Sequence, residues 1–189
     1  MRPWSIVLIV LLVLISLPSQ ALQLRVEGSV TSYLDRRPMT GARVRVYKDG
    51  QQVLQCSTSA NGGYAVKLDN QARYTIRVDA PGFQGKCYII DTRGPEWMND
   101  RGVKDLLVET RLPVQKAGMD LSWFDLPMGM ARFTPSTGLI SWNVGYSEDA
   151  RSGAREVMQQ YCLAAGIPYV PEAGEGLQVL VSRSGRKEL

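Results

Sequence analysis

The side chains best placed to do chemistry lie in the run RGPEWMNDRG, from Arg93 to Gly102. Trp97 stands there between Glu96 and the pair Asn99-Asp100. An exposed indole stacks on the C–H face of a sugar ring while neighbouring carboxylates and amides bond its hydroxyls, and loops are where such groups gather. Trp97, Glu96, Asn99 and Asp100 are therefore the candidate ligand-binding set. The plainer alternative, for Trp97 as for Trp123 and Trp142, is packing that fastens the C-terminal part of the chain. The acids Asp91, Glu96, Asp100, Asp105 and Glu109 crowd the same region. A pair of them at the right separation would serve glycoside hydrolysis, but acids in loops are ordinarily just solvated. Their spacing matches no dedicated calcium loop. The chain contains no histidine, which removes Ser-His-Asp and Cys-His catalysis and the usual zinc peptidase sites. The residues thus point to no catalytic group, no metal and no cofactor.

Three cysteines are present, Cys56, Cys87 and Cys162. If Cys56 and Cys87 bond, they close a loop of about thirty residues, which chain entropy values at roughly 3.6 kcal/mol. Both can equally be buried thiols packing as small apolar groups. Spacing alone does not choose between these readings. Cys162 falls on the apolar face of a helix.

The N-terminus reads as an export signal. Arg2 precedes an apolar run from Ile6 to Leu17, Pro18 ends it, and Ser19-Gln20-Ala21 supplies the small residues of a cleavage site after Ala21. A helix of about a dozen residues rises about 18 Å, short of the roughly 30 Å hydrocarbon core. Retention as an anchor is the lesser reading. The net charge of +4 falls to +3 once Arg2 leaves, and no basic run of a nucleic-acid arm is present. No second long apolar segment follows, so no stable membrane span is expected after signal removal.

From Leu22 onward the pattern is that of short strands. Leu22, Leu24 and Val26 alternate with Gln23, Arg25 and Glu27, the period of a half-buried strand. Val44 and Val46 follow, then a strand through Leu54 and Cys56, with Asp49-Gly50 as a hairpin turn between them. Asn61-Gly62 leads into Tyr64, Val66 and Leu68, and Asp69-Asn70 into Tyr74, Ile76 and Val78. Strands over Cys87–Ile90 and through Leu106, Val108, Thr110 and Leu112 complete seven, the rhythm of an all-β sandwich. Arg25, Arg43, Arg45, Lys67, Arg73 and Arg77 occupy polar strand positions. They make either a cationic sheet face for acidic glycans or ordinary solvated faces that blunt edges.

After Pro113 the pattern changes. Met130–Phe133 and Leu139–Trp142 flank Thr134-Pro135-Ser136-Thr137-Gly138 as a hairpin, and Ala154, Val157, Met158, Tyr161, Cys162 and Ala165 fall at helical spacing until Gly166 and Pro168. The organisation expected is a signal over 1–21, a sandwich over 22–113, a hairpin-helix extension over 114–181 and a mobile basic tail over 182–189.

Gly28-Ser29-Val30, Met39-Thr40-Gly41-Ala42-Arg43-Val44, the turn from Thr58 to Tyr64 and Ala80-Pro81-Gly82-Phe83 resemble the carboxypeptidase regulatory-like, or transthyretin-like (prealbumin-like), β-sandwich superfamily. The resemblance runs from about Leu22 to Leu112. Ser59 stands where that family commonly has Asp, and serine makes the same turn hydrogen bond more weakly. What the resemblance implies is a mainly β, seven-stranded Greek-key sandwich, with almost nothing about activity. The stretch from Met119 to Trp142 is similar to bacterial envelope proteins that append a hairpin to such a sandwich. The expectation is a non-enzymatic exported module for structural or protein–protein interaction in the cell envelope, whether periplasmic, envelope-bound or secreted. Its partner would be an envelope protein or a surface glycan, and not nucleic acid. The alternative is a carbohydrate-binding module using Trp97, and the enzyme-class alternative is a glycoside hydrolase using the loop carboxylates.

Overall fold

A computed structural model describes residues 23–94, 103–134 and 139–169. Nine strands, one 3-10 turn and one helix follow in order: β1 Gln23–Ser32, β2 Arg43–Lys48, β3 Gln51–Ser57, β4 Gly63–Asp69, β5 Arg73–Asp79, β6 Lys86–Asp91, β7 Val103–Leu112, the turn Ser122–Asp125, β8 Pro127–Thr134, β9 Leu139–Trp142 and α1 Val144–Ala165. They form a three-stranded sheet, β4-β1-β7, and a six-stranded sheet, β3-β2-β5-β6-β8-β9. The fold is mainly β and the seven expected strands are all present.

Alternation builds the core. In β4 and β5 every second residue is buried, namely Tyr64, Val66 and Leu68, and Tyr74, Ile76 and Val78. These side chains meet Leu24, Val26, Val44, Val46, Leu106 and Val108 between the sheets. At about 25 cal/mol per Å² of apolar surface, this shared burial is the main force joining the layers. Tyr64 crosses the interior because its cross-strand partner is Gly28. A Cβ there would lie 2.0 Å from the phenol ring, so a side chain at 28 would expel it. The Tyr64 hydroxyl ends 2.5 Å from that of Tyr88 inside the core, and burial raises both phenols well above the ordinary tyrosine range.

The turns behave as their residues demand. Asp49 and Gly50 both take positive φ, 47° and 88°, the backbone of the tightest hairpin turn. Gly62, at φ 74°, brings its own backbone so near Val30 that a Cβ would sit 2.4 Å from the carbonyl oxygen. Ser59 makes the expected local bond, its Oγ lying 2.9 Å from the Gly63 carbonyl.

The hairpin β8–β9 does not stand apart. β8 pairs parallel with β6 and so lengthens the larger sheet. β6 is buried from Cys87 to Ile90 without alternation, as a strand covered on both faces must be. Tyr88 and Ile90 enter the main core, while Cys87 points the other way, 3.4 Å from the Asp125 carbonyl. Over that side the 3-10 turn and α1 build a second core from Leu121, Phe124, Ala154, Met158, Tyr161 and Cys162.

α1 is longer than the apolar spacing indicated. It begins at Val144, where the Asn143 side chain accepts a bond from the Tyr146 N–H, and ends at Gly166 in the left-handed conformation. Inside it, Gly153 makes room for an indole: a Cβ there would lie 2.2 Å from the Trp123 ring. The Trp123 Nε1–H donates to the Ala150 carbonyl at 3.1 Å. No helix among the described residues is long and apolar enough to cross a membrane.

Candidate functional site

The sequence-derived ligand set Glu96, Trp97, Asn99 and Asp100 lies outside the described residues, as does the cleavage site at Ala21. Of the described acids, Asp91 lies on β6 of the larger sheet, and Asp105 and Glu109 lie on β7 of the smaller one. Asp91 closes β6 and is held by Arg93 at 2.6 Å, and Glu109 on β7 pairs with Arg111 at 2.9 Å. Among the described residues no three metal-ligating side chains converge. Trp123 and Trp142 both serve packing. Trp123 seals α1, and Trp142 meets the Tyr88 ring edge-on at 6.2 Å.

Of the two readings of Cys56 and Cys87, the disulfide is not formed, and all three cysteines are free thiols. The reason is topological. β2 and β5 separate β3 from β6 in the sheet, so the two backbones lie about 14 Å apart at 4.7–4.9 Å per strand, beyond the roughly 7 Å limit for a bridge. The side chains also leave opposite faces. Cys56 packs against the main core, whereas Cys87 contacts Asp125. Burial raises both thiols.

The six basic strand residues do not make one cationic face. Arg25 and Lys67 sit opposite each other on the smaller sheet, and Arg43, Arg45, Arg73 and Arg77 belong to the larger one. Most are also neutralised. Arg25 pairs with Glu27 at 2.6 Å, Arg43 and Arg45 both clasp Asp79 at 2.5 Å, and Arg77 pairs with Asp125. Burial opposes ionisation of Asp79, but hydrogen bonds from the two guanidiniums outweigh it and hold the carboxyl below its ordinary range.

The feature that sequence reasoning missed is the flank where β3 and β4 end their sheets. A terminal strand offers a row of unpaired N–H and C=O groups, which proteins protect with charge, brevity or cover. β4 carries Lys67 and Asp69, and β7 carries Lys104, Asp105, Glu109 and Arg111. β9 has four residues and runs almost directly into α1. β3 is different: its seven residues, QQVLQCS, hold no charge. Its pairing with β2 slips between Val46 and Tyr47, leaving Val53 as an extra residue. Among the described residues such a bulge is the one protective device on this edge. Val53 is 55% exposed and Leu54 39%.

Beside β3 the two sheets part to leave a groove of about 290 Å³, lined by Val46, Val53, Leu54, Val66, Leu68 and Tyr74, with Lys48, Lys67 and Asp69 around it. One lip is braced. Lys48 Nζ lies 3.6 Å from Asp69 Oδ2 and 6.0 Å from the centre of the Tyr74 ring, and the Tyr74 hydroxyl accepts from the Asp69 N–H at 3.1 Å. The signal for this site was present in the sequence as an uncharged strand between charged ones, but its edge position depends on the sheet order.

The groove is thus apolar within, with the Lys48–Asp69 pair and Lys67 at its margin. The described residues form a two-layer β-sandwich whose larger sheet is covered at one flank by the 3-10 turn and α1 and ends at the other in β3. Residues 25–92 match the family model of the carboxypeptidase regulatory-like domain, a transthyretin-like β-sandwich family. Among solved structures, the Bacillus anthracis TIE protein is similar at 13% identity and TM-score 0.41, covering 49% of this chain and 17% of its own. The A72G mutant of Acinetobacter radioresistens catechol 1,2 dioxygenase is similar at 14% identity and TM-score 0.38, covering 56% of each chain. The dioxygenase domain of a dioxygenase carbohydrate-binding protein fusion from Streptomyces sp. SirexAA-E is similar at 11% identity and TM-score 0.34, covering 53% of this chain and 84% of its own. The chain thus spans well under two thirds of the first two structures' length, and at these values none of the likenesses assigns an activity. No curated protein matches the chain in sequence.

Proposed function

We propose that this protein is a non-enzymatic, exported β-sandwich module of the cell envelope that holds a partner protein at its open flank. The observation that carries the reading is β3, an uncharged seven-residue edge strand with Val53 and Leu54 exposed beside an apolar groove. An edge of that kind is a template for association unless something covers it. The match of residues 25–92 to a β-sandwich domain family supports a binding role over a catalytic one. Export rests on the signal pattern from Met1 to Ala21, and N-terminal sequencing of the protein recovered from cells tests it: a chain beginning at Leu22 is expected.

The docking role is tested by photo-crosslinking in intact envelopes. A photoreactive residue at Gln55 on β3 is compared with one at Glu156, an exposed position on α1. One discrete adduct is expected from position 55, lost when Val53→Lys is added, and none from position 156. Equal adducts from both positions, or none from either, would overturn the reading. A glycan array with Trp97→Ala examines the sugar-binding alternative, which retained binding by the variant would remove.

A further inference from the structure

Given a docking role for the open flank, on which this inference rests, we infer that the partner contributes an extended strand to β3. That strand seats an aliphatic side chain in the groove and carries an acidic residue near Lys67.

Three observations select this occupant. The first is directional. In strand addition the backbone supplies affinity and pockets for alternate side chains supply choice. Leu54 pairs with Val46 and Cys56 with Val44, and both valines are buried in the main core. Leu54 and Cys56 therefore face inward. A residue of an added strand lying beside Leu54 points the same way and meets Val66, Leu68 and Tyr74 across the groove.

The second is size. At about 290 Å³ the groove falls just below the roughly 300–1,000 Å³ that encloses a whole small ligand. It is suited to one or two side chains from a longer segment whose backbone stays on β3.

The third is charge. β3 itself is neutral, so it repels no incoming strand. Of the charges around the groove, Lys48 and Asp69 engage each other at 3.6 Å. Lys67 is exposed on β4 and has no ion pair among the described residues. The uncompensated charge is positive, and complementary charge chiefly steers encounter and fixes register. An aliphatic residue flanked by Asp or Glu satisfies all three conditions.

The test uses the processed full chain and a phage-displayed library of random linear peptides. Enriched peptides are expected to alternate aliphatic residues with polar ones and to share an Asp or Glu. A synthetic copy of the leading peptide should slow alkylation of Cys56, the half-buried thiol on β3, while the buried Cys87 and Cys162 stay unreactive. Val53→Lys should weaken the peptide by about tenfold or more, with circular dichroism confirming an intact fold. Repeating the selection on Lys67→Glu should exchange the acidic preference for Lys or Arg. No enrichment, or enriched peptides that ignore Val53→Lys and leave Cys56 unprotected, would overturn strand addition. If the Gln55 crosslink depends on Val53 while no such peptide emerges, the docking flank stands and the strand partner falls. Loss of both removes the docking role as well.

Discussion

The larger sheet is finished in two different ways at its two ends. Toward β8 and β9 the chain supplies its own cover: Phe124, Met158 and Tyr161 are fully or almost fully buried, and the Tyr161 hydroxyl accepts from the Val114 N–H at 3.0 Å. Toward β3 no further strand or helix among the described residues adds to the sheet, and the charges that guard β4 and β7 are missing from β3. One flank spends sequence on stability, whereas the other leaves exposed the groups that a partner would use. Substitutions at the two flanks should therefore separate folding from binding.

The largest expected effect is on the covered flank. Phe124 is fully buried and stands 4.7 Å beneath the Lys86 ammonium, so Phe124→Ala should cost about 3–5 kcal/mol in chemical denaturation, as aromatic-to-alanine changes in cores do. Next comes Gly153→Ala. On an open helix the change would stabilise by about 0.8–1.0 kcal/mol, but the new methyl meets the Trp123 indole at 2.2 Å. The expected sign is the reverse, a loss of about 1–2 kcal/mol from overpacking.

Asp79 gives a pH signature that belongs to neither flank. Its carboxyl titrates below the ordinary value of 3.8 because Arg43 and Arg45 bond it. A lowered folded-state pKa adds stability above the unfolded value, and that stability is lost as pH falls through the folded one. Asp79→Asn should thus cost about 1–2 kcal/mol near neutrality, mostly through the better-buried Arg45. The gap to wild type should stay level down to about pH 4 and shrink below it. The smallest stability effect is on the open flank. Val53→Lys should change unfolding free energy by no more than about 0.5 kcal/mol, yet abolish the Gln55 crosslink. A large loss of stability there would blur the contrast between the flanks.

Much of this architecture is legible in the sequence, because the side-chain period of a half-buried strand is written residue by residue. Val44-Arg45-Val46 and Tyr74 to Val78 read directly as strands with one buried face. The apolar run Cys87–Ile90 marks a strand, and the segments on either side of residues 135–138 mark two more, but neither names its neighbour. That β8 lies parallel to β6 is a pairing between distant segments, invisible to local period. The same limit explains the cysteines. Cys56 and Cys87 both sit in strands, and only the sheet order shows two strands between them and opposite faces. It also explains the basic residues, whose alternation is correct while their division between two sheets is not local information. α1 extends back to Val144 because Asn143 caps it, although residues 144 to 153 carry little apolar spacing. The open edge is the extreme case: QQVLQCS shows a strand without charge, and whether it lies inside or at the rim is decided by every other strand.

Native-state hydrogen exchange of the isolated, processed chain tests the contrast most directly, because it reads backbone protection strand by strand. The account predicts fast exchange at alternate amides of β3, those turned away from β2, and slow exchange throughout β6 and β8. Uniform protection of β3 at the level of β6 would show that the chain already covers this edge, and would contradict the open flank on which the proposed docking role stands.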